Sequence, residues 1–171
     1  QAGLVNNMND GMMWGLFPIL LAAKGFTLAE IGFITALYPM VWGIAQLGTG
    51  SLSDFLCQKD LLFIGMLFQG MAILGLLYVD SFLAFATLSF ALGLGTALVY
   101  PTFLASIAEN THPNDRAASL GIFRFWRDLG YALGAILTGI LADYFEFNVS
   151  ILVIGCLTLL SAGLVKSRMT C

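Results

Sequence analysis

Residues 31–53 read IGFITALYPMVWGIAQLGTGSLS and contain no charged side chain. An α-helix of this length measures about 34 Å, which is enough to cross the hydrocarbon core of a lipid bilayer. Three further runs without charge follow at 61–79, 82–108 and 147–165. Because a helix satisfies its own backbone polar groups, apolar runs of this length predict membrane-spanning helices. These four runs therefore indicate a membrane protein.

Two shorter apolar runs, 11–23 and 129–142, reach spanning length only if their helices extend back through polar residues. With that extension the sequence predicts an all-α membrane protein with six transmembrane helices in one domain, residues 1–171. The predicted bounds are 3–23, 30–53, 61–79, 82–108, 118–142 and 147–165.

The composition also excludes several classes of protein. Hydrophobic residues make up 59% of the chain and charged residues 10%, against roughly 45–50% and about 25% in soluble domains. The net charge is −3, and no basic patch is dense enough for a nucleic-acid partner. The only histidine, His112, lies in a Pro-Asn-Asp turn with no second metal ligand nearby. We therefore expect no enzyme activity, no metal site and no cofactor.

Basic side chains predict the orientation, since cytoplasmic loops are rich in Lys and Arg. If both ends of the chain are cytoplasmic, only Lys24 lies on the outer side, and four basic residues lie in inner segments. Those four are Lys59, Arg116, Lys166 and Arg168. We therefore expect an integral protein of the cell (inner or plasma) membrane with both termini cytoplasmic.

A short motif occurs twice. Residues 50–54 read GSLSD and residues 139–143 read GILAD, 89 positions apart, at the ends of the second and fifth predicted helices. The third and sixth predicted helices are apolar nearly all round, apart from Gln69 and Asn148, so we expect them to face lipid. The other four carry polar side chains and should face protein or water. Two such triplets cross the membrane in opposite directions, which predicts a 3+3 inverted repeat.

A polar stripe runs along the second predicted helix, because its members follow one another at steps of three or four residues. In a bilayer such a stripe faces either a neighbouring helix or an aqueous cavity, and the sequence leaves both interpretations open. Its members are Thr35, Tyr38, Trp42, Gln46, Thr49 and Ser53.

The fifth predicted helix carries Arg124, Arg127, Asp128 and Tyr131 on one face. Charges this far from the helix end avoid lipid. The i, i+4 spacing favours Arg124 as the partner of Asp128 and leaves Arg127 for an anionic solute or for Asp10. The alternative is a structural clamp in which neither arginine contacts solute.

The first predicted helix carries Asn6, Asn9 and Asp10 on one face, followed by Trp14. Asp10 either caps the helix or pairs with an arginine of the fifth helix, or it carries a proton across the membrane. Pairs of the form G-x-x-x-G occur on both of these helices and predict close helix crossings. The pairs are Gly11 with Gly15, and Gly130 with Gly134.

Residues 50–59 resemble the signature that follows the second helix in each half of a major facilitator superfamily transporter. The family pattern is G-x-x-x-D, basic, x, G, basic, basic. Gly50, Asp54 and Lys59 match it, whereas Phe55, Cys57 and Gln58 depart from it. Two other stretches are similar to the family: Gly93-Leu94-Gly95 leading to Tyr100-Pro101, and Arg116 followed by Gly121, Arg127, Gly130 and Gly134.

Transporters of this family have twelve helices, so the resemblance implies that the chain is one half of a longer protein. The degraded motif, the Asn-rich residues 6–10 and the short segment after Val165 favour the second, C-terminal half. The implied function is secondary active transport of a small solute by alternating access. A membrane scaffold or regulatory protein that transports nothing is the alternative. A channel is disfavoured because the segments between helices are too short for a selectivity loop.

The expected partners are a small-molecule solute, a coupled proton as an option, the lipid bilayer and the missing six-helix half. The predicted cytoplasmic gate comprises Gly50, Asp54 and Lys59. The candidates for the solute or ion pathway are Asn6, Asn9, Asp10, Trp14, Tyr38, Trp42, Gln46, Tyr100, Arg124, Arg127, Asp128 and Tyr131.

Overall fold

The computed structural model describes residues 1–170, apart from the side chain of Asp54, and this part of the chain is helical almost throughout. Its α-helices are α1 (Ala2–Gly15), α2 (Phe17–Ala23), α3 (Leu28–Thr49), α4 (Gln58–Gly75), α5 (Phe82–Glu109), α6 (Arg116–Tyr144) and α7 (Phe147–Arg168). Short 3₁₀ segments cover Gly50–Asp54, Leu76–Tyr78 and Pro113–Asp115.

The helix predicted at 3–23 is two helices, α1 and α2, which meet at Leu16. Pro18 lies in the first turn of α2 and has no N–H to donate, so the backbone bond to the preceding turn is lost there. The chain nevertheless continues in the same direction. The Leu16 N–H donates to Met12 O at 2.9 Å, and the Leu20 N–H donates to Leu16 O at 3.0 Å. Together α1 and α2 form one broken helical segment.

Four helical segments are long and apolar enough to cross a membrane: Leu28–Ser53, Gln58–Tyr78, Phe82–Glu109 and Phe147–Arg168. They correspond to α3, α4, α5 and α7, each with any 3₁₀ turn that follows it. The segment α1–α2 is interrupted, and α6 carries several charges along its length. The described part of the chain is therefore an all-α membrane protein with four apolar spans, α3, α4, α5 and α7, and two more polar helical segments, α1–α2 and α6.

The helices pack in a bundle in which α1 lies against α6, α3 lies against α5, and α4 lies between α5 and α7. Helix α7 also contacts α1 and α6. Buried apolar side chains form two clusters. The smaller, around Met66 and Val99, lies near both chain ends, and the larger surrounds Phe17, Ile34 and Phe85. Side chains from α1, α3, α5 and α6 are thereby held along one side of the core.

Glycines allow α1 and α6 to approach backbone to backbone. A Cβ added at Gly130 would lie 2.1 Å from the carbonyl oxygen of Leu4, and one at Gly134 would lie 2.5 Å from the carbonyl oxygen one turn further along α1. At Gly11 the nearest backbone oxygen of α6 would be 2.4 Å away. The predicted crossing is confirmed at these three glycines. At Gly15 the nearest atom is 3.9 Å away, so that position does not need a glycine.

Candidate functional site

The side chain of Asp10 lies inside the bundle and is hydrogen-bonded to a tyrosine of another helix. Asp10 is 7% exposed and Tyr38 of α3 is 1% exposed. The Tyr38 hydroxyl donates to Asp10 Oδ1 and lies 3.2 Å from Thr96 Oγ1 of α5. A buried carboxyl group is costly unless it is hydrogen-bonded. The contact therefore holds Asp10 at the meeting point of α1, α3 and α5.

Aromatic rings extend this contact across the bundle. Trp42 follows Tyr38 by one helical turn and stacks against it, with ring centroids 6.3 Å apart. Tyr100 of α5 meets Trp42 edge to face at 5.7 Å. Cζ of Arg127 on α6 lies 5.1 Å from the centroid of the Tyr100 ring, a cation–π geometry. We call Asp10, Tyr38, Trp42, Tyr100 and Arg127 the polar row, which joins α1, α3, α5 and α6.

The ion pair of α6 joins different residues from those predicted. Arg127 Nε and Nη2 donate to Asp128 Oδ1 at 2.9 and 2.7 Å. Among the described side chains, Arg124 has no ion-pair or hydrogen-bond partner. The predicted Arg124–Asp128 pair, with Arg127 left free, is therefore wrong. The Arg127 guanidinium lies over the ring of Tyr100, and from that position it still reaches the carboxylate of Asp128.

A second group of polar side chains joins α1 to α4 and α7. Gln69 Nε2 donates to Asn6 Oδ1 at 2.9 Å, and Asn9 Nδ2 donates to Gln69 Oε1 at 2.8 Å. Thr158 Oγ1 donates to Asn9 Oδ1 at 2.7 Å. Gln69 and Thr158 are fully buried. We call Asn6, Asn9, Gln69 and Thr158 the amide cluster.

The amide cluster separates Asn6 and Asn9 from Asp10, although the sequence predicted one shared face. Successive residues point about 100° apart around a helix, so Asn9 reaches α4 and α7 while Asp10 reaches α3. Sequence reasoning missed the roles of Gln69 and Thr158. An amide in an otherwise apolar span was the available signal, since lipid cannot satisfy it. The expectation that α4 and α7 face lipid is therefore wrong for one side of each helix. The side of α4 with Gln69 and the side of α7 with Thr158 are buried against α1.

Three other predicted pathway residues do not belong to the polar row. Trp14 is 44% exposed, Tyr131 is 42% exposed and Gln46 is half-buried. None of the three has a side-chain hydrogen bond within the described part of the chain. Tyr131 follows Arg124 by seven residues on α6, so the two share a face. These residues are free to contact a solute or another part of a longer protein.

Two further features of α3 bear on the site. Pro101 of α5 has no N–H, so the carbonyl group of Ala97 lacks its helical donor, and Thr49 Oγ1 donates to that oxygen at 2.5 Å. Trp42 Nε1 is buried, and no described residue accepts its hydrogen bond. The polar row therefore contains one indole N–H that remains available to an acceptor.

The predicted gate residues lie at the end of the bundle that carries the chain termini. Gly50–Asp54 forms a 3₁₀ turn, in which Ser53 Oγ donates to Gly50 O at 3.0 Å. Lys59 is half-buried in the first turn of α4. Gln58 Nε2 donates to Glu109 Oε2 at 2.7 Å, and both residues line a cavity of about 500 Å³. The side chain of Asp54 lies outside the described residues.

Chemically, the polar row combines a buried carboxyl group, a guanidinium, three aromatic rings and an unpaired donor. Such groups can bind a polar solute, and a buried carboxyl group can also exchange a proton. Within the described residues, no three His, Cys, Asp or Glu side chains are grouped closely enough to hold a metal ion.

Comparison with known proteins places these features in a family context. The family model of the Major Facilitator Superfamily matches residues 2–168. The uncharacterised MFS-type transporter MJ1560 of Methanocaldococcus jannaschii is 29% identical over 89% of this chain and 39% of its own length. Inner membrane transport protein YnfM of Escherichia coli is 24% identical over 86% of this chain and 35% of its own length.

A maltose permease of Geobacillus stearothermophilus is also similar, at 28% identity over 93% of this chain and 40% of that protein. The match extends along nearly the whole chain in each comparison. The chain nevertheless spans only about two-fifths or less of the length of these relatives.

Proposed function

Because the chain belongs to the Major Facilitator Superfamily, we propose that it forms one six-helix half of a secondary transporter that moves a small solute by alternating access. The observation that carries this proposal is the polar row, in which side chains of α1, α3, α5 and α6 meet inside the bundle. Charged groups at membrane depth face protein or water rather than lipid. In a transporter, the row belongs to the wall of the solute pathway.

Six crossings follow if α1–α2 is one broken span and α6 is a second polar span. Four segments are already long and apolar enough. In the other two, Asp10 is hydrogen-bonded to Tyr38 and Arg127 is paired with Asp128, whereas Arg124 is without a partner among the described side chains. Both segments can cross the bilayer if their polar sides are turned away from lipid.

Two glycine crossings support a 3+3 inverted repeat. Helix α6 meets α1 at Gly130, and α5 meets α3 at Gly93, where an added Cβ would lie 2.7 Å from Tyr38 O. Each crossing joins the second span of one triplet to the first span of the other. A two-fold axis in the membrane plane that relates the triplets would require this pairing.

The missing half would supply the opposite wall of the pathway. The chain covers two-fifths or less of its relatives, and α3 and α6 leave large apolar side chains exposed, including Met40, Leu47 and Trp126. Surfaces of this kind are covered by lipid or by further helices. The departures from the family motif favour the second half of the transporter.

Both termini are proposed to lie on the cytoplasmic side of the cell membrane. Lys166 of α7 donates to Asp60 of α4 at 2.6 Å, so these two helix ends lie at one side of the bundle, together with Lys59. The bias of basic residues toward cytoplasmic segments then assigns that side to the cytoplasm. Gly50, Asp54 and Lys59 would form a gate there that opens and closes with each transport cycle.

Asp10 is the proposed proton carrier. It is the one carboxyl group of the polar row, and the Tyr38 hydroxyl is the group to which it is bonded. Protonation removes its charge and so changes its interaction with Arg127 across the row. Solute movement and proton movement would be coupled through that change.

The proposal can be tested on the full-length protein in liposomes that contain a pH-sensitive dye. A panel of solutes would include maltose, the sugar in the name of one relative, and succinate, lactate and glutamate. We expect at least one solute to produce a saturable change in lumenal pH. With Asp10→Asn the pH change should disappear while exchange of labelled solute persists, and Asp115→Asn, in an exposed turn, serves as the control.

Two outcomes would count against the proposal. If Asp10→Asn leaves both the pH change and the uptake intact, the proton role is wrong. If the folded full-length protein moves no solute of the panel and allows no exchange, the transport function is contradicted.

A further inference from the structure

Arg124 is the charge in the middle part of α6 that no described side chain neutralises, whereas Arg116 and Asp143 lie at the ends of the helix. Arg127 and Asp128 neutralise each other, and Arg127 is also held by the ring of Tyr100. Arg124 is exposed and has no ion-pair or hydrogen-bond partner among the described side chains. Asp10 cannot take that role, because it is buried and bonded to Tyr38. The middle part of α6 therefore carries one positive charge that has no partner among the described side chains.

This charge lies at membrane depth if α6 spans the bilayer. Helix α6 has 29 residues and its middle is at Gly130, so Arg124 lies about 9 Å from that middle along the helix axis. The hydrocarbon core extends about 15 Å from the midplane on each side. An arginine at this depth needs water or an anionic partner, because the hydrocarbon chains of the lipid offer neither.

The face that carries Arg124 is distinct from the apolar face of α6. Arg124, Asp128 and Tyr131 follow one another at i, i+4 and i+7, and all three are exposed. The exposed apolar side chains on the opposite side of the helix can face lipid. They include Ile122, Leu133 and Ile140.

We propose that Arg124 binds the transported solute and that this solute is a small oxyanion, bearing a carboxylate or a phosphate group. This inference rests on the proposed transport function. The planar guanidinium presents paired N–H donors that match two oxygen atoms of such a group. Asp128 is not paired with Arg124 in this structure, because both of its hydrogen bonds come from Arg127 and go to Oδ1. Binding of an oxyanion neutralises the charge of Arg124 within the hydrocarbon core, where an unpaired charge is costly.

Thermal unfolding of the purified full-length protein tests this inference with simple anions in place of the unidentified solute. The probes are sodium succinate, sodium phosphate and uncharged succinamide, each over a range of concentrations. We expect succinate or phosphate, but not succinamide, to raise the Tm. Arg124→Gln should weaken that effect at least tenfold in apparent affinity, and Arg124→Lys should weaken it less. Arg116→Gln, at the exposed start of α6, should behave like the parent.

Each other outcome has a definite meaning. The inference is overturned if neither anion raises the Tm, if succinamide acts as well as succinate, or if Arg124→Gln responds like the parent. It is also overturned if Arg124→Gln lowers the Tm without any anion, since Arg124 would then pair with an acid of the missing half. If the Arg124→Gln variant takes up an uncharged solute, the transport function stands. The inference that the transported solute is an oxyanion bound by Arg124 is then contradicted. Failure of all uptake would instead contradict the transport function.

Discussion

The crossing of α1 and α6 makes a strong prediction about a single methyl group. Gly130→Ala places a Cβ 2.1 Å from Leu4 O, whereas real Cβ atoms essentially never lie within 3.0 Å of another heavy atom. A shift of at least 0.9 Å is therefore required. Both atoms in conflict belong to the backbone or are fixed to it, so no rotamer change can relieve the contact. The two helices have to separate.

The magnitude follows from two opposing effects. Forcing extra volume into a packed contact costs about 1–3 kcal/mol, and a backbone contact belongs at the upper end of that range. Alanine in place of glycine within a helix gains about 1 kcal/mol from backbone entropy. Gly163→Ala in α7 gains the backbone entropy without the cost of overpacking, because no atom lies within 4 Å of its added Cβ. We therefore expect Gly130→Ala to be about 3 kcal/mol less stable than Gly163→Ala.

The assay is thermal unfolding of the two full-length variants in the same detergent, followed by tryptophan fluorescence. Gly163→Ala should match or slightly exceed the parent in Tm, and Gly130→Ala should unfold several degrees lower. Gly134→Ala, with an added Cβ 2.5 Å from Met8 O, should fall between them. Equal midpoints for the variants at 130 and 163 would refute the backbone crossing.

Two further predictions concern hydrogen bonds that the bundle buries. Gln69→Leu should lower the free energy of unfolding by about 2–4 kcal/mol, since it leaves the side-chain amides of Asn6 and Asn9 without this partner. Phe68 is 48% exposed, so Phe68→Leu should change the free energy of unfolding little in the same thermal assay. Thr49→Val should destabilise the parent by about 1 kcal/mol but a Pro101→Ala variant by less, because alanine restores the N–H that the Ala97 carbonyl group lacks. If Gln69→Leu and Phe68→Leu lose similar stability, the role of Gln69 in the amide cluster is contradicted. If Thr49→Val costs the same in the parent and in Pro101→Ala, the hydrogen bond from Thr49 to the Ala97 carbonyl group does not replace the one that Pro101 lacks.

The apolar spans could be predicted from the sequence because their signal is local. A charge-free run of spanning length is visible in the residues themselves, and α3, α4, α5 and α7 each lie over such a run. The break at Leu16 could not be predicted in the same way. Pro39 and Pro101 lie inside the continuous helices α3 and α5, whereas Pro18 lies beside the break. The residues next to a proline therefore do not predict whether the helix continues through it, because that depends on packing against other helices.

The candidate site was only partly predictable, because its contacts depend on which helices meet. The i, i+4 rule describes an isolated helix, and it selected Arg124 as the partner of Asp128. Tyr100 approaches Arg127 from another helix, at a sequence distance that no spacing rule covers. For the same reason the row from Asp10 to Arg127 became visible only in the folded bundle.

We propose that the polar side of this bundle faces water within the membrane while the opposite side faces lipid. Tyr131 and Leu133 of α6 test it most directly, since each is 42% exposed and they point about 200° apart around the helix. Each position would be changed to cysteine in the full-length protein, and labelling by a water-soluble maleimide would be measured in membranes above the parent's own background. We predict that Tyr131→Cys is labelled and that Leu133→Cys is not. Equal labelling of both, or labelling of Leu133→Cys alone, would contradict it.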